Sequence, residues 1–236
     1  MFIKKLEKAA IEFNIDLSEK QMNQIQLYCN ILLEWNKKIN LTAITEPKEI
    51  IIKHFIDSLT INKYINTGEK LVDIGTGAGF PGIPIKIIRD DIQVVLVDSL
   101  NKRINFLNNV IEELDLKNIN TVHARAEEFG QMKDYREKFD ISTSRAVANL
   151  ATLSEYLIPL IKVGGKSICM KGAEIETELN ESQKAISTLG AKVKNIELLK
   201  LPDSDYSRNI IILKKESITN KKYPRKAGTP AKEPIK

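Results

Sequence analysis

The densest chemistry in this 236-residue chain lies between Leu71 and Gly82, in the stretch LVDIGTGAGFPG. Leu71, Val72 and Ile74 form a short apolar run of the kind that fills a buried strand, and the acid Asp73 interrupts it. Gly75, Gly77, Gly79 and Gly82 follow, and then IPIKIIRD reads as a helix with Pro84 in its first turn, where a missing N–H costs least. Strand, glycine turn and helix make the opening unit of a nucleotide-type site in an open α/β sheet. Gly77, Gly79 and Gly82 also satisfy the G-x-G-x-x-G spacing of dinucleotide binders. Asp73 speaks against that ligand, because an acid beside the turn repels a pyrophosphate seated at the helix N-terminus. It suits a ligand with a cationic amine and no phosphate, such as S-adenosylmethionine (SAM). A tight turn with no ligand at all is the plain alternative.

Other candidates sit where such a sheet would bring them together. Asp98 ends the next apolar run, QVVLVD, 23 residues after Gly75, close to the spacing of an acid that holds ribose hydroxyls. Ala126 and Glu127 follow a third run and can hold an adenine, or simply start a helix. Arg145 ends a fourth run and Lys171 a fifth, both at the expected mouth of the cleft. On an upstream helix, His54, Asp57 and Ser58 fall at i, i+3 and i+4 and so share one face. They form either a polar site facing substrate or a packed histidine satisfied by its neighbours.

The elements that must position these residues follow from periodicity. Phe2 to Asn14 patterns as an amphipathic helix, and Ser18 with Gln21 predicts a capping box that starts a longer helix to about Lys38. NLTAIT, from Asn40, breaks the helical period, and a third helix runs from Glu46 and Pro47 to about Tyr64. From there strands and helices alternate, with a helix over Leu150–Lys162, a strand at KSICMK, and two closing strands as an antiparallel pair. The expected fold is α/β, a Rossmann-like, seven-stranded and mainly parallel sheet. Residues 1–66 are expected as a helical cap, 67–215 as the sheet core, and 216–236 as a basic tail, extended or disordered unless it binds something.

Bulk properties limit the classes. Hydrophobic content of 42% and charged content of 28% fit a globular protein. No apolar run approaches the roughly 20 residues of a membrane span, and the N-terminus lacks a signal-peptide apolar core. Two cysteines, Cys29 and Cys169, read as buried small hydrophobes, which places the chain in a reducing cytoplasm. With two histidines and two cysteines, no clustered metal site is visible. The net charge of +5 is concentrated at the end: from Lys214 onward there are eight Lys/Arg against two Glu. That composition suits a polyanion partner or a solvated tail.

The order D-x-G-x-G-x-G resembles motif I of class I SAM-dependent methyltransferases. Taken with NKKINLTAI, KHFIDSL, VDSLNKRINFL, ARAEEF, SRAVANL, MKG and KYPRKAGTP, the chain resembles the RsmG (GidB) family, bacterial methyltransferases of small-subunit (16S) ribosomal RNA. The resemblance implies methylation of guanine N7 in the decoding region of 16S rRNA. It implies SAM contacts at Gly75, Phe80, Asp98, Ser99, Ala126, Glu127 and Arg145, to which the reading of the turn adds Asp73 and Gly77. His54, Asp57 and Arg145 become candidates for the reacting centre, and Asn40, Ser58 and Lys171 for the substrate side. The implied partner is 16S rRNA, whether protein-free, in the small subunit or in its assembly intermediate. The sequence is silent on oligomeric state, with a monomer as the working expectation. A small-molecule methyltransferase, a non-enzymatic assembly factor that binds SAM, and a NAD-dependent oxidoreductase are the alternatives.

Overall fold

The Ser18–Gln21 spacing does what it predicts. The Ser18 hydroxyl accepts from the Gln21 N–H at 3.3 Å, and the Gln21 amide oxygen accepts from the Ser18 N–H at 2.9 Å. This box starts α2 (Glu19–Asn36), which follows α1 (Phe2–Ile11) in a computed structural model that describes residues 2–236. The third helix begins as α3 (Pro47–Ile50), widens to a π-helical run at Ile51–Ile56 and closes as α4 (Asp57–Leu59). It stops short of Tyr64. The Thr60 hydroxyl bonds the Asp57 carbonyl at 2.6 Å, and a separate 3-10 turn, Asn62–Tyr64, follows.

The α/β core then alternates: β1 (Lys70–Ile74), α5 (Gly82–Ile88), β2 (Gln93–Asp98), α6 (Asn101–Glu113), β3 (Ile119–His123), α7 (Ala126–Phe129), β4 (Phe139–Arg145) and α8 (Leu150–Leu157). After it come β5 (Ile161–Lys171), α9 (Glu176–Thr188), β6 (Ala191–Lys200), β7 (Ser207–Lys215) and a short α10 (Thr229–Lys232). The α8 helix ends earlier than expected because Pro159 has no N–H to continue it, and β5 accordingly starts earlier.

The seven strands lie in the order β3-β2-β1-β4-β5-β7-β6. The pairs among β1 to β5 are parallel, and β7 runs antiparallel to both β5 and β6. This is the seven-stranded, mainly parallel sheet expected from the sequence. The strand order reverses between β1 and β4, which opens a crevice at their carboxyl ends.

Strand alternation divides the core into two layers. Leu71, Leu96, Ile141 and Ile168 face one side, where they merge with Leu6, Ile25, Leu32 and Phe55 of the N-terminal helices. Val72, Ile74, Val97 and Cys169 face the other, under Leu153 and Leu157 of α8 and Ile186 of α9. The first helices therefore share one apolar layer with the sheet. Gln24 of α2 fastens them further, reaching the Leu114 carbonyl beyond α6 at 2.8 Å.

The tail departs from the expectation of an extended segment. Arg136 donates to the carbonyls of Thr219 at 2.9 Å and Tyr223 at 2.6 Å. Arg225 grips the buried Glu155 at 2.7 Å, and Thr152 bonds the Pro230 carbonyl at 2.9 Å. Two of the cations that made the tail look like a polyanion patch are thus spent inside the fold, since Lys215 is buried against Glu137 at 2.6 Å.

Candidate functional site

The crevice at the strand ends opens into a cleft of about 690 Å³. Its floor is the glycine turn. Gly75, Gly77 and Gly79 take φ of +65°, +61° and +90°, a region that side chains strain to enter. Each glycine serves a different contact. A Cβ on Gly75 would lie 2.6 Å from Val147, because the loop after β4 rests on the turn. A Cβ on Gly79 would lie 2.6 Å from the Tyr28 hydroxyl. At Gly77 the nearest neighbour would be 4.0 Å away, so a side chain there would project into the cleft, in space now open to a ligand.

The Asp98 carboxylate, at the end of β2, fixes this turn from the side. It accepts from the N–H groups of Gly77 at 2.9 Å and Leu100 at 2.9 Å, and from Arg103 at 3.3 Å. Three donors leave acceptor capacity on a carboxylate. Ser99 beside it is exposed on the cleft wall.

The opposite wall is a cationic and aromatic cluster held by one buried acid. Asp57, fully buried, accepts from Arg145 at 2.8 Å and from Arg208 of β7 at 3.0 Å. Arg145 also donates to the Lys53 carbonyl at 3.1 Å, and its guanidinium lies 5.1 Å from the Phe80 ring centroid. The His54 ring stacks on Phe80, with centroids 4.7 Å apart. Its Nδ1 lies 3.3 Å from Arg145 and 3.2 Å from the Lys53 carbonyl, and its Nε2 is 2.7 Å from the Thr42 hydroxyl. Burial and the neighbouring Arg145 push the His54 pKa down to about 3, so the ring is neutral. The Lys171 ammonium donates to the Ala148 carbonyl at 2.8 Å and pairs with Glu178 at 2.5 Å, which steadies the loop that carries Val147.

A cleft of this size, a floor without side chains and an acid at the end of β2 fit an adenosyl ligand. The cluster carries no group poised as a general base. With a pKa near 3 its histidine is too weak a base to take up a proton near neutral pH, and its acid is shared by two arginines.

A profile of the family described as GidB, rRNA small subunit methyltransferase G, matches residues 21–211. A protein of Clostridium botulinum (strain ATCC 19397 / Type A) named ribosomal RNA small subunit methyltransferase G is 52% identical, over 100% of this chain and 99% of its own length. One of the same name from Desulforamulus reducens is 54% identical, over 98% of this chain and 97% of its own. The chain belongs to the GidB family. Among solved structures, a SAM-dependent methyltransferase from Aquifex aeolicus superposes with a TM-score of 0.53 at 14% identity, covering 77% of this chain and 97% of that one. TYW2 of M. jannaschii, in complex with AdoMet, gives 0.51 at 14% identity, covering 66% and 74%. These two show the shared fold, that of class I SAM-dependent methyltransferases.

Within this GidB chain the predicted site residues separate into two groups. Gly75, Gly77, Phe80, Asp98, Ser99, His54, Arg145 and Lys171 line the cleft, and Asp57 lies just behind Arg145. The others do not line it. Asp73 sits beneath the turn: alternation puts it on the same sheet face as Leu71, and Oδ2 accepts from Thr76 at 2.7 Å and the Gly82 N–H at 2.9 Å. Its Oδ1 has no partner, and burial pushes its pKa up to about 7. Asp73 therefore builds the turn, and the idea that it faces a cation across the cleft is corrected. Ser58 turns back on its own helix, donating to the His54 carbonyl at 2.6 Å. Asn40, expected on the substrate side, is exposed and outside the cleft lining, and the loop beside it is held by Asn36, whose side chain bonds Leu41 and Thr42. The Glu127 carboxylate accepts from the Gly228 N–H at 2.8 Å and Tyr156 at 3.4 Å, facing the tail, with Ala126 half-buried beside it.

Sequence reasoning missed Tyr28 and Arg208. Tyr28 continues the apolar face of α2 three residues after Ile25, and its hydroxyl donates to the Ala78 carbonyl in the turn. That spacing was a usable signal. Arg208 had none, since its partner Asp57 is 151 residues away.

Proposed function

We infer that this chain transfers the methyl group of SAM to N7 of a guanine in small-subunit (16S) rRNA. The observation that carries this reading is the full-length identity with proteins named ribosomal RNA small subunit methyltransferase G, at 52% and 54%. When bound, SAM supplies a methyl group already activated on a sulfonium centre.

Guanine N7 has a free lone pair in the neutral base, so no proton must leave before it attacks. A cluster without a general base suits that acceptor. The protein's share of the work is then orientation and exclusion of water. Gly75, Gly77, Asp98 and Ser99 hold the nucleoside end of the donor. Arg145 offers donors to the guanine edge, with Asp57 and Arg208 fixing its direction and neutral His54 completing the wall over Phe80. Lys171 keeps the Ala148 loop in place against the cleft wall. Asp73 supports the turn from below, whereas Ala126 and Glu127 stay outside the cleft, with Glu127 turned to the tail. Asn40 and Ser58 are given no part in the transfer.

No helix among the described residues is long and apolar enough to cross a membrane, and the proposed place of action is the cytoplasm, where rRNA is found. N7 of a paired guanine faces a groove that side chains cannot read in A-form RNA. The substrate therefore presents that base unpaired, in a small subunit, an assembly intermediate or protein-free 16S rRNA. Incubating the protein with methyl-labelled SAM and either small subunits, protein-free 16S rRNA or a pool of metabolites tests this. Label in rRNA as N7-methylguanine is expected, and label confined to small molecules refutes it.

A further inference from the structure

The cleft wall includes three aromatic rings, of His54, Phe80 and Tyr206, and they differ in exposure. Phe80 is buried and His54 stacks on it, whereas Tyr206 is 46% exposed at the mouth. Tyr206 is also fixed in place. Its carbonyl accepts from the Leu201 N–H at 2.8 Å across the β6–β7 turn, and the Lys53 ammonium lies 4.3 Å from its ring centroid. Lys53 is in turn held by Glu49 at 2.6 Å. Two residues on from Tyr206, Arg208 grips Asp57, so the ring stands at a set distance from the group that aims Arg145.

An exposed, braced aromatic at the mouth of a polar cleft is poorly explained by packing. It matches the way proteins receive single-stranded RNA, by stacking unpaired bases on aromatic faces. We propose that Tyr206 is the stacking platform for an unpaired base adjoining the target guanine, and so a positioning residue for the substrate strand. The proposal rests on the rRNA reading given above. Lys53 has two tasks in it: it braces the ring and brings positive charge near the phosphate of the stacked nucleotide.

The test uses the full chain and small subunits that lack the modification. Tyr206→Ala is expected to lower kcat/KM for methyl transfer by roughly 5- to 150-fold, the range of one lost base–aromatic stack. Tyr206→Phe keeps the ring and is expected to stay within about twofold of the wild type. The loss is expected to fall on the rRNA side, with SAM affinity changing less than kcat/KM, because the ring stands at the mouth of the cleft. Stacking releases no counterions, so Tyr206→Ala leaves the salt slope of subunit binding unchanged, whereas Lys53→Ala lowers it by about one.

Ultraviolet crosslinking of the wild-type complex is expected to join Tyr206 to a nucleotide next to the methylated guanine. Unchanged kcat/KM in Tyr206→Ala overturns the proposal, as does an equal loss in Tyr206→Phe, which would point to the hydroxyl. A crosslink from Tyr206 to a ribosomal protein overturns it too, in favour of a protein contact. If the wild type leaves rRNA unmodified while Tyr206 crosslinks nothing, the rRNA reading falls together with the proposal. If the wild type methylates rRNA and only the Tyr206 results fail, that reading stands.

Discussion

Replacing Asp57 by asparagine strikes the group on which the substrate wall depends. Asp57 is fully buried, and two guanidinium groups, Arg145 at 2.8 Å and Arg208 at 3.0 Å, donate to its two oxygens. Asparagine matches it in shape but keeps one acceptor, and its amide presents donors to an arginine that cannot accept. Breaking a buried ion pair from one side costs about 3–5 kcal/mol. The side chains of Arg145 and Arg208 are 12% and 24% exposed, so water relieves part of that cost. The low end, about 3 kcal/mol, is therefore expected. For a chain of this size that lowers Tm by roughly 6–12 °C, as read by scanning calorimetry. Function should suffer in a selective way. With Arg145 no longer aimed, the single-turnover methyl-transfer rate should fall by at least about tenfold while SAM affinity, measured by titration calorimetry, changes by less than about threefold. A Tm within about 1 °C of the wild type would refute the buried triad. An intact transfer rate in a destabilised variant would refute its role in orientation.

Three further substitutions probe separate parts of the site. Gly77→Ala puts a methyl group into open cleft space at φ +61°, so it should cost about 1–2 kcal/mol of backbone strain and weaken SAM binding, as read by thermal melts and calorimetry. If SAM affinity is unchanged, the ligand does not lie over that residue. His54 has a pKa near 3 in the fold against an ordinary 6.5, so between those values the unfolded chain holds more protons and stability falls as pH falls. His54→Gln removes this, and urea unfolding should show the variant gaining about 1–2 kcal/mol relative to wild type between pH 7.5 and pH 5. Parallel profiles would contradict a neutral buried ring. Arg225→Met leaves Glu155, whose side chain is 1% exposed, without its cation and should cost about 2–3 kcal/mol by urea unfolding, which a loose, unpacked tail would not.

The sequence was most legible where chemistry and periodicity coincide. The glycine turn, Asp98 and the strand ends at Arg145 and Lys171 could be placed because a parallel sheet sends every strand's carboxyl end to one edge. The face shared by His54, Asp57 and Ser58 was read on an α-helical period. The π-helical run at Ile51–Ile56 alters that period, and Ser58 turns inward while the other two meet Arg145. Asp73 was assigned by its charge, but alternation along β1 buries it beneath Gly82. The tail looked like a polyelectrolyte because composition counts charges without their partners. Glu137, Glu155 and Glu127, which hold Lys215, Arg225 and the Gly228 N–H, lie 70 or more residues earlier. Arg208 was invisible for the same reason.

The most direct measurement is the modification state of 16S rRNA in cells with and without this protein, read at nucleotide resolution by mass spectrometry of rRNA fragments. N7-methylguanine should vanish from a single site in the decoding region on deletion. It should return with the wild-type chain and remain absent or much reduced with Asp57→Asn. An unaltered N7-methylguanine map in the deletion strain would contradict the assignment of this cleft to rRNA methylation.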